Sequence, residues 1–216
     1  MGKYFGTDGF RGKANVELTA DHAYEVGRFL GWYYGREHRA RIVVGKDTRR
    51  SSYVLEYAIS AGMAASGADV YLLHVTTTPS VSYVTRTDGF DCGVMISASH
   101  NPYYDNGIKL LNREGEKMDE ATIRLVEDYL DGHLEVDGNP VHKLPFAIRE
   151  RIGDLSLYTQ VQSVRAYQQR TFADTPENTF IRFDDKNTVS RIIKDLQENG
   201  TIKREGSARK GYWVVL

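Results

Sequence analysis

The sequence predicts an α/β protein whose first part, residues 1–153, is a three-layer α/β/α domain. Short runs rich in Val, Ile and Leu alternate with longer stretches of helical periodicity over about the first 130 residues, and Gly, Asp or Asn bounds each run. Such alternation is typical of a sheet that is covered by helices. After Asp131 the pattern changes to a turn-rich connector.

Local sequence signals predict where the helices and strands begin and end. Apolar residues recur at helical spacing behind Thr19, a residue type that caps helix N-termini. The second helix contains small residues such as Gly62, which let it lie close against a sheet, and Gly67 can end it. The predicted strands are Arg41–Val44, Ala68–Val75, Cys92–Ser97 and Ile108–Leu111, and the predicted helices begin at Thr19, Ser51, Pro79 and Asp119.

Composition narrows the class of protein. The 216 residues include 41% hydrophobic residues and carry a formal charge of −1, which favours neither polyanion nor membrane binding by the chain as a whole. The single cysteine, Cys92, adjoins an apolar run, so a buried thiol is expected and a disulfide framework is excluded. No apolar run reaches the roughly 18 residues of a membrane span, and the N-terminus lacks a signal-peptide core, so we expect a cytoplasmic protein.

The C-terminal part of the chain has a different sequence pattern. Residues 154–186 show neither helical nor strand periodicity and stay unassigned. In residues 187–216, a helix beginning at Asn187 or Thr188 precedes two strands, Ile202–Arg204 and Tyr212–Val215. This order resembles the second half of a winged-helix domain. Because the segment is locally basic, weak and non-specific DNA binding is expected. For the whole chain, two alternative functions stay open: a DNA-binding regulator that carries a relic domain, or a rearranged chain without function of its own. In the regulator, base contacts would fall to Thr188, Ser190, Arg191 and Lys194, and phosphate contacts to Arg209 and Lys210.

The segment Ile96–Tyr103 carries the chemistry. It places Ser99, His100 and Asn101 where an apolar run ends. A hydroxyl on a loop at the end of a buried strand is where α/β proteins position a phosphate-handling nucleophile. An ordinary turn, in which Ser and Asn bind the backbone and Pro102 stops the strand, is the competing interpretation.

Four ordered motifs favour the chemical interpretation. Together they resemble the first domain of the α-D-phosphohexomutase family, most closely its bacterial phosphoglucosamine mutase branch, from about Gly2 to about Gly153. The resemblance implies a mixed sheet within the α/β/α domain. The motifs are Phe5-Gly-Thr-Asp-Gly-Phe-Arg-Gly12, Gly45-Lys-Asp-Thr-Arg49, Ala98-Ser-His-Asn-Pro102 and Asp105-Asn-Gly-Ile-Lys109.

The resemblance implies a role for each candidate residue. Ser99 would carry the phosphate, with Ser97 a structural neighbour, and Lys109 would act as general base and acid beside His100. Arg11, Arg49 and Asn101 would serve the phosphate, Arg49 by orienting the phosphoserine loop; an ion pair between Asp47 and Arg49 is a nearly equal alternative. Mg²⁺ would bind through the Ser99 phosphate. The implied substrate is a phosphorylated hexosamine, with interconversion of glucosamine 6-phosphate and glucosamine 1-phosphate.

The family's other motifs are not found in these 216 residues. The carboxylate loop Asp-Gly-Asp-x-Asp-Arg, which supplies the remaining metal ligands in the family, does not occur, and Asp184-Asp185 is the only adjacent pair of aspartates. With one ligand instead of about four, Mg²⁺ binding is expected to be weak. The sequence therefore predicts a truncated or fused protein that lacks full mutase activity alone.

Overall fold

The computed structural model describes residues 2–158 and, as a separate hairpin, the strands 202–205 and 212–215. The strands are β1 (Phe5–Gly6), β2 (Gly9–Lys13), β3 (Arg41–Lys46), β4 (Asp69–Val75), β5 (Cys92–Ile96), β6 (Asp105–Leu111), β7 (Glu135–Val136), β8 (Asn139–Pro140), β9 (Leu155–Leu157), β10 (Ile202–Glu205) and β11 (Tyr212–Val215). The helices are α1 (Ala20–Tyr34), α2 (Arg50–Ala65), α3 (Thr78–Thr87) and α4 (Glu120–Leu130), and a 3₁₀ turn covers Arg149–Arg151.

Seven strands form one mixed sheet in the order β1-β2-β6-β5-β3-β4-β9. The pairs β3–β4, β3–β5 and β4–β9 are parallel, while β1–β2, β2–β6 and β5–β6 are antiparallel. The parallel strands β3 and β5 end at the same edge, where the loops 47–49 and 97–104 begin. The sheet also continues past residue 153, because β9 lies beside β4.

Helices cover both faces, which confirms the predicted three layers. Along β3, Ile42 and Val44 belong to a buried cluster with residues of α1, α2 and α4, whereas Val43 belongs to a second cluster with residues of α3. This alternation is the period of two expected of a strand with both faces covered. Cys92 is fully buried, as expected, and burial raises the pKa of its thiol well above the ordinary value.

The predicted elements of the first domain are present, with boundaries shifted by one to three residues. Thr19 caps α1 by accepting a hydrogen bond from the backbone N–H of His22, and Asp119 caps α4 by accepting from that of Thr122. Gly67 follows α2 with a φ of 97°, the left-handed conformation that lets a chain leave a helix. The strands β1, β2 and β9 and the short pair β7–β8 were not predicted.

Helices α1 and α2 approach each other through glycine. A Cβ atom added at Gly62 would lie 2.2 Å from the carbonyl oxygen of Tyr24 in α1, and one added at Gly27 would lie 2.1 Å from that of Ile59 in α2. Gly62 therefore allows a close contact with α1, whereas the sequence had suggested a contact with the sheet. Both contacts involve backbone atoms, which have little room to move.

The C-terminal hairpin agrees with the sequence. Strands β10 and β11 pair antiparallel, with Ile202 opposite Val215 and Glu205 opposite Tyr212. The predicted helix at Asn187 or Thr188 and all the residues proposed to contact DNA lie outside the described residues. The winged-helix resemblance and the DNA-binding hypothesis stay predictions. Among the helices that the structure describes, none combines the length and the hydropathy that crossing a membrane requires.

Candidate active site

Ser99 lies on the loop that follows β5 and is exposed. Its φ of 55° is left-handed, a conformation that costs a non-glycine residue roughly 1 kcal/mol. The backbone N–H of Ser99 donates to Oγ of Ser97 at 3.0 Å, and its own Oγ lies 3.4 Å from Nδ1 of His100. The loop therefore presents the Ser99 hydroxyl to solvent with an imidazole beside it.

Arg49 holds this loop by its backbone. The Nε atom donates to Asp47, and the two terminal nitrogens donate to four carbonyl oxygens of the loop. A guanidinium has five N–H donors, and these contacts use all of them. The acceptors are Asp47 Oδ2 at 3.0 Å and the carbonyl oxygens of Ser99 at 2.9 Å, Asn101 at 2.8 Å, Pro102 at 2.6 Å and Asp105 at 3.2 Å.

The Arg49 side chain is only 12% exposed, so its contacts are largely shielded from water. The geometry combines the two interpretations of this residue, because the ion pair with Asp47 and the orientation of the loop are both present. No N–H donor of Arg49 is left over for a phosphate oxygen.

Arg11 approaches the same loop from β2. Its Nη1 donates to Oδ1 of Asn101 at 3.2 Å, and its Nη2 lies 3.2 Å from Oδ2 of Asp8. The Nε atom is buried and has no hydrogen-bond partner. A buried N–H without an acceptor is unfavourable, so one donor of Arg11 is left unused in this structure. Asn101 is fixed in turn by donating to Asp105 at 3.1 Å.

Lys109 lies on β6, opposite Met95 of β5. Arg11 lies opposite Gly107, which is two residues before Lys109 on the same strand. Residues that are paired across strands share a face, and so do residues two apart along a strand. Arg11 and Lys109 therefore project from the same face of the sheet, although no hydrogen bond joins Lys109 to Ser99.

Two polar residues that the sequence did not predict as site residues, Asn106 and Ser52, hold this region in position through hydrogen bonds. Buried Asn106 donates to Oγ of Ser51 at 2.8 Å and to Oγ of Ser52 at 2.9 Å, and its own Oδ1 accepts from the Gly107 N–H. Ser52 donates to Asp47 at 2.7 Å. These bonds join β6 to the start of α2. Asn106 belongs to a recognised motif, but nothing in the motif shows which partners its amide meets.

The carboxylate of Asp47 is the anionic centre of this network. Burial acts to raise its pKa, but hydrogen bonds from the Arg49 N–H, Ser52, Ser97 and the Arg49 guanidinium outweigh burial and lower the pKa. A folded-state pKa below the unfolded value stabilises the protein above the unfolded pKa, and this contribution is lost as pH falls through the folded pKa.

We therefore expect Asp47→Asn to have a lower melting temperature than wild type at pH 7. The difference between the two melting temperatures should become smaller below about pH 4. Thermal melts between pH 3 and pH 7 measure this difference, with Asp128→Asn, at an exposed carboxylate on α4, as the control. A gap between Asp47→Asn and wild type that does not change with pH would show that the carboxylate charge is not what stabilises the loop.

A metal site would need several oxygen or nitrogen ligands close together. Within residues 2–158, no group of three or more His, Cys, Asp or Glu side chains is arranged to hold a metal ion.

Comparison with known proteins identifies the family of the chain. The model of the phosphoglucomutase/phosphomannomutase family, alpha/beta/alpha domain I, matches residues 2–136. The chain is 66% identical over 162 residues to a phosphoglucosamine mutase of Lachnospira eligens and 63% identical over 153 residues to that of Lachnoclostridium phytofermentans. These matches cover 74% and 71% of this chain.

The chain belongs to the phosphoglucomutase/phosphomannomutase family and contains its α/β/α domain I. It spans about a third of the relatives' own length, 34% and 33% respectively. Among solved structures, a family protein from Burkholderia thailandensis matches 90% of this chain and 42% of its own, with a TM-score of 0.58 and 21% identity. That last likeness supports the fold alone.

Proposed function

We propose that this chain supplies the phosphoserine-bearing domain of a phosphoglucosamine mutase, which interconverts glucosamine 6-phosphate and glucosamine 1-phosphate. The observation that carries the proposal is the exposed Ser99 hydroxyl on a loop whose backbone Arg49 holds at four carbonyls. The mutase class is supported by the family match and by the two closely similar phosphoglucosamine mutases.

The chemistry has two transfers. In the first, the bond between phosphorus and Ser99 Oγ breaks as a sugar hydroxyl forms a new bond to phosphorus, and the hydroxyl proton passes to the Nζ atom of Lys109, the candidate general base. In the second, the other phosphate of the resulting bisphosphate returns to Ser99 Oγ, while Lys109 gives its proton back to the sugar oxygen that leaves. Phosphoryl transfer depends mainly on positioning and on stabilising charge, so a rigid serine loop is the contribution expected of this domain.

The two arginines have different parts in this proposal. Arg11 contacts the phosphate, since its Nε is buried with no acceptor and its side chain is 20% exposed. Arg49 acts as a positioning residue, because all five of its donors bind the loop or Asp47. His100 lies beside Ser99 Oγ, and in this proposal it shares the proton transfers. A phosphate on Ser99 would be a ligand for Mg²⁺, which would stabilise the charge of the transferred phosphoryl group.

A domain replacement tests the proposal. Residues 2–158 of this chain would replace the matching segment of the Lachnospira eligens enzyme, and turnover of glucosamine 6-phosphate would be measured with Mg²⁺ and a sugar bisphosphate activator. We expect activity within about tenfold of the parent, with phosphate on Ser99 by mass spectrometry. The 216-residue chain alone, tested in parallel, should give no measurable turnover. A folded replacement protein without activity, or with its phosphate on another residue, would refute the proposal.

A further inference from the structure

Two opposite charges are buried behind the turn that carries Arg49. Lys46 is the last residue of β3 and Glu56 lies on α2, and both side chains are fully buried. Charged groups rarely occur in a protein interior without a counter-charge, because removing them from water is costly. Neither residue takes part in the transfers proposed above, so the pair is a buried charged cluster outside that chemistry.

The ammonium of Lys46 has no hydrogen-bond acceptor among the residues that the structure describes. Its Nζ lies 3.4 Å from the centroid of the Tyr53 ring, which belongs to α2 and covers it. The face of an aromatic ring attracts a cation, but it has no net charge and so cannot neutralise one. The carboxylate of Glu56, on which the charge of Lys46 acts, is the negative charge that balances it.

Glu56 has a second basic neighbour. The Nδ1 atom of His74 lies 3.2 Å from both of its carboxylate oxygens. Burial raises the pKa of the Glu56 carboxyl, while His74 and Lys46 act to lower it. The His74 side chain is 41% exposed and can exchange this contact for water, whereas the buried Lys46 cannot. Lys46 is therefore the group that depends on the charge of Glu56.

The backbone of β4 is strained where it brings His74 to Glu56. The φ of His74 is 54°, a left-handed conformation that is unfavourable for a residue with a Cβ atom. The register between β3 and β4 shifts at the same place. Such an irregularity can direct a side chain toward a new neighbour, and here the imidazole meets α2. The strain thus lies at the residue that completes the cluster.

Helix α2 holds the end of β3 at two successive residues. Ser52 and Glu56 are four residues apart and share one side of the helix. Ser52 donates to Asp47 at 2.7 Å, and Glu56 balances the charge of Lys46, the residue before it. Arg49 is the N-cap residue of the same helix. A displacement of α2 from residues 46–47 would therefore also displace Arg49.

We propose that Glu56 is a positioning residue for the phosphoserine loop, residues 97–105. Its charge holds Lys46, and with it the end of β3, against α2, so that Arg49 meets the carbonyl oxygens of the loop. This role deepens the proposed function and rests on it for the part that Ser99 plays. The hydrogen bonds of the loop exist without any reaction, so the effect on the loop can be measured separately from turnover.

Hydrogen–deuterium exchange of the complete 216-residue chain tests the positioning role. Glu56→Gln keeps the size of the side chain and a hydrogen-bonding group for His74, but it leaves Lys46 buried without a counter-charge. We expect the amides of residues 97–105 to exchange at least about tenfold faster, because the end of β3 must move to relieve the buried charge. Lys46→Met combined with Glu56→Gln removes both charges and should bring exchange back to within about threefold of wild type.

Glu25→Gln is the matched control. Glu25 is a partly buried carboxylate on α1 that accepts a hydrogen bond from Tyr129 of α4, so its loss should leave exchange of residues 97–105 unchanged. Three results would overturn the inference. These are wild-type exchange of the loop in Glu56→Gln, faster exchange spread evenly over residues 2–158, and exchange in the double variant that stays as fast as in Glu56→Gln.

Kinetics of the domain-replacement protein gives a second readout. There Glu56→Gln should lower kcat about tenfold or more and leave KM within about twofold, because it displaces the nucleophile without removing a substrate contact. The two proposals fail separately. Faster loop exchange in Glu56→Gln, with no phosphate ever found on Ser99, removes the mutase role and keeps the positioning role. A phosphorylated, active replacement protein in which Glu56→Gln changes neither exchange nor kcat removes the positioning role alone.

Discussion

Ser99→Ala in the domain-replacement protein should reduce turnover of glucosamine 6-phosphate by at least about ten-thousand-fold, because the oxygen that accepts and returns the phosphate is removed. The substitution takes away one exposed hydroxyl and should leave folding unchanged. Steady-state kinetics measures the loss, and intact-mass spectrometry should show that the phosphorylated form disappears at the same time.

Ser97→Ala is the matched control two residues away. Ser97 Oγ accepts the Ser99 backbone N–H at 3.0 Å and also bonds the Asp47 carboxylate, so its loss removes two hydrogen bonds and leaves the nucleophile in place. The neutral bond contributes about 1 kcal/mol and the bond to the carboxylate about 2 kcal/mol, so this variant should lose at most a few-hundredfold in turnover, far less than Ser99→Ala. Equal losses in Ser97→Ala and Ser99→Ala would mean that the two serines support the loop and that neither carries the phosphate.

Gly62→Ala should destabilise the domain by about 3 kcal/mol, the upper end for an overpacked core. The added methyl would lie 2.2 Å from the carbonyl oxygen of Tyr24 and 2.8 Å from the amide nitrogen of Arg28, both backbone atoms of α1. Helices α1 and α2 must then separate, although alanine favours a helix more than glycine does. A chain of this size should lose roughly 6–12 °C in melting temperature.

Gly6→Ala adds the same methyl group where the nearest atom beyond the neighbouring residues, the carbonyl oxygen of Gly9, is 3.9 Å away. Its stability should stay within about 0.5 kcal/mol of wild type. Calorimetry on the two variants separates crowding between helices from a general cost of replacing glycine. A Gly62→Ala protein that melts with wild type would show that the two helices can move apart freely.

The strands and helices that the sequence predicted have strong local signals. Thr19 and Asp119 cap their helices by contacts three residues away, and β3 and β5 are apolar runs. The strands β1 and β2 have no such pattern, because their segment is rich in glycine and polar residues. They become strands through pairing with β6, where Phe10 lies opposite Ile108.

The features of the candidate site also divide into those that the sequence identified and those that only the fold shows. Ser99, His100 and Asn101 are neighbours in one motif, so the sequence identified them together. The partners of Arg49 are backbone carbonyl groups up to 56 residues away. Every residue has such a group, so the sequence does not show which of them bind Arg49.

The contacts of Arg49 also determine which positions of the chain can change in evolution. Every residue supplies a carbonyl oxygen, so Arg49 can bind this loop whatever its side chains are. Tyr103 and Tyr104, which lie between the residues that Arg49 binds, can therefore be replaced without loss of these hydrogen bonds. Position 49 has no such freedom, since lysine has three donors and lacks the planar fork. Homologous loops of very different composition should therefore keep the same backbone path wherever an arginine stands at this position.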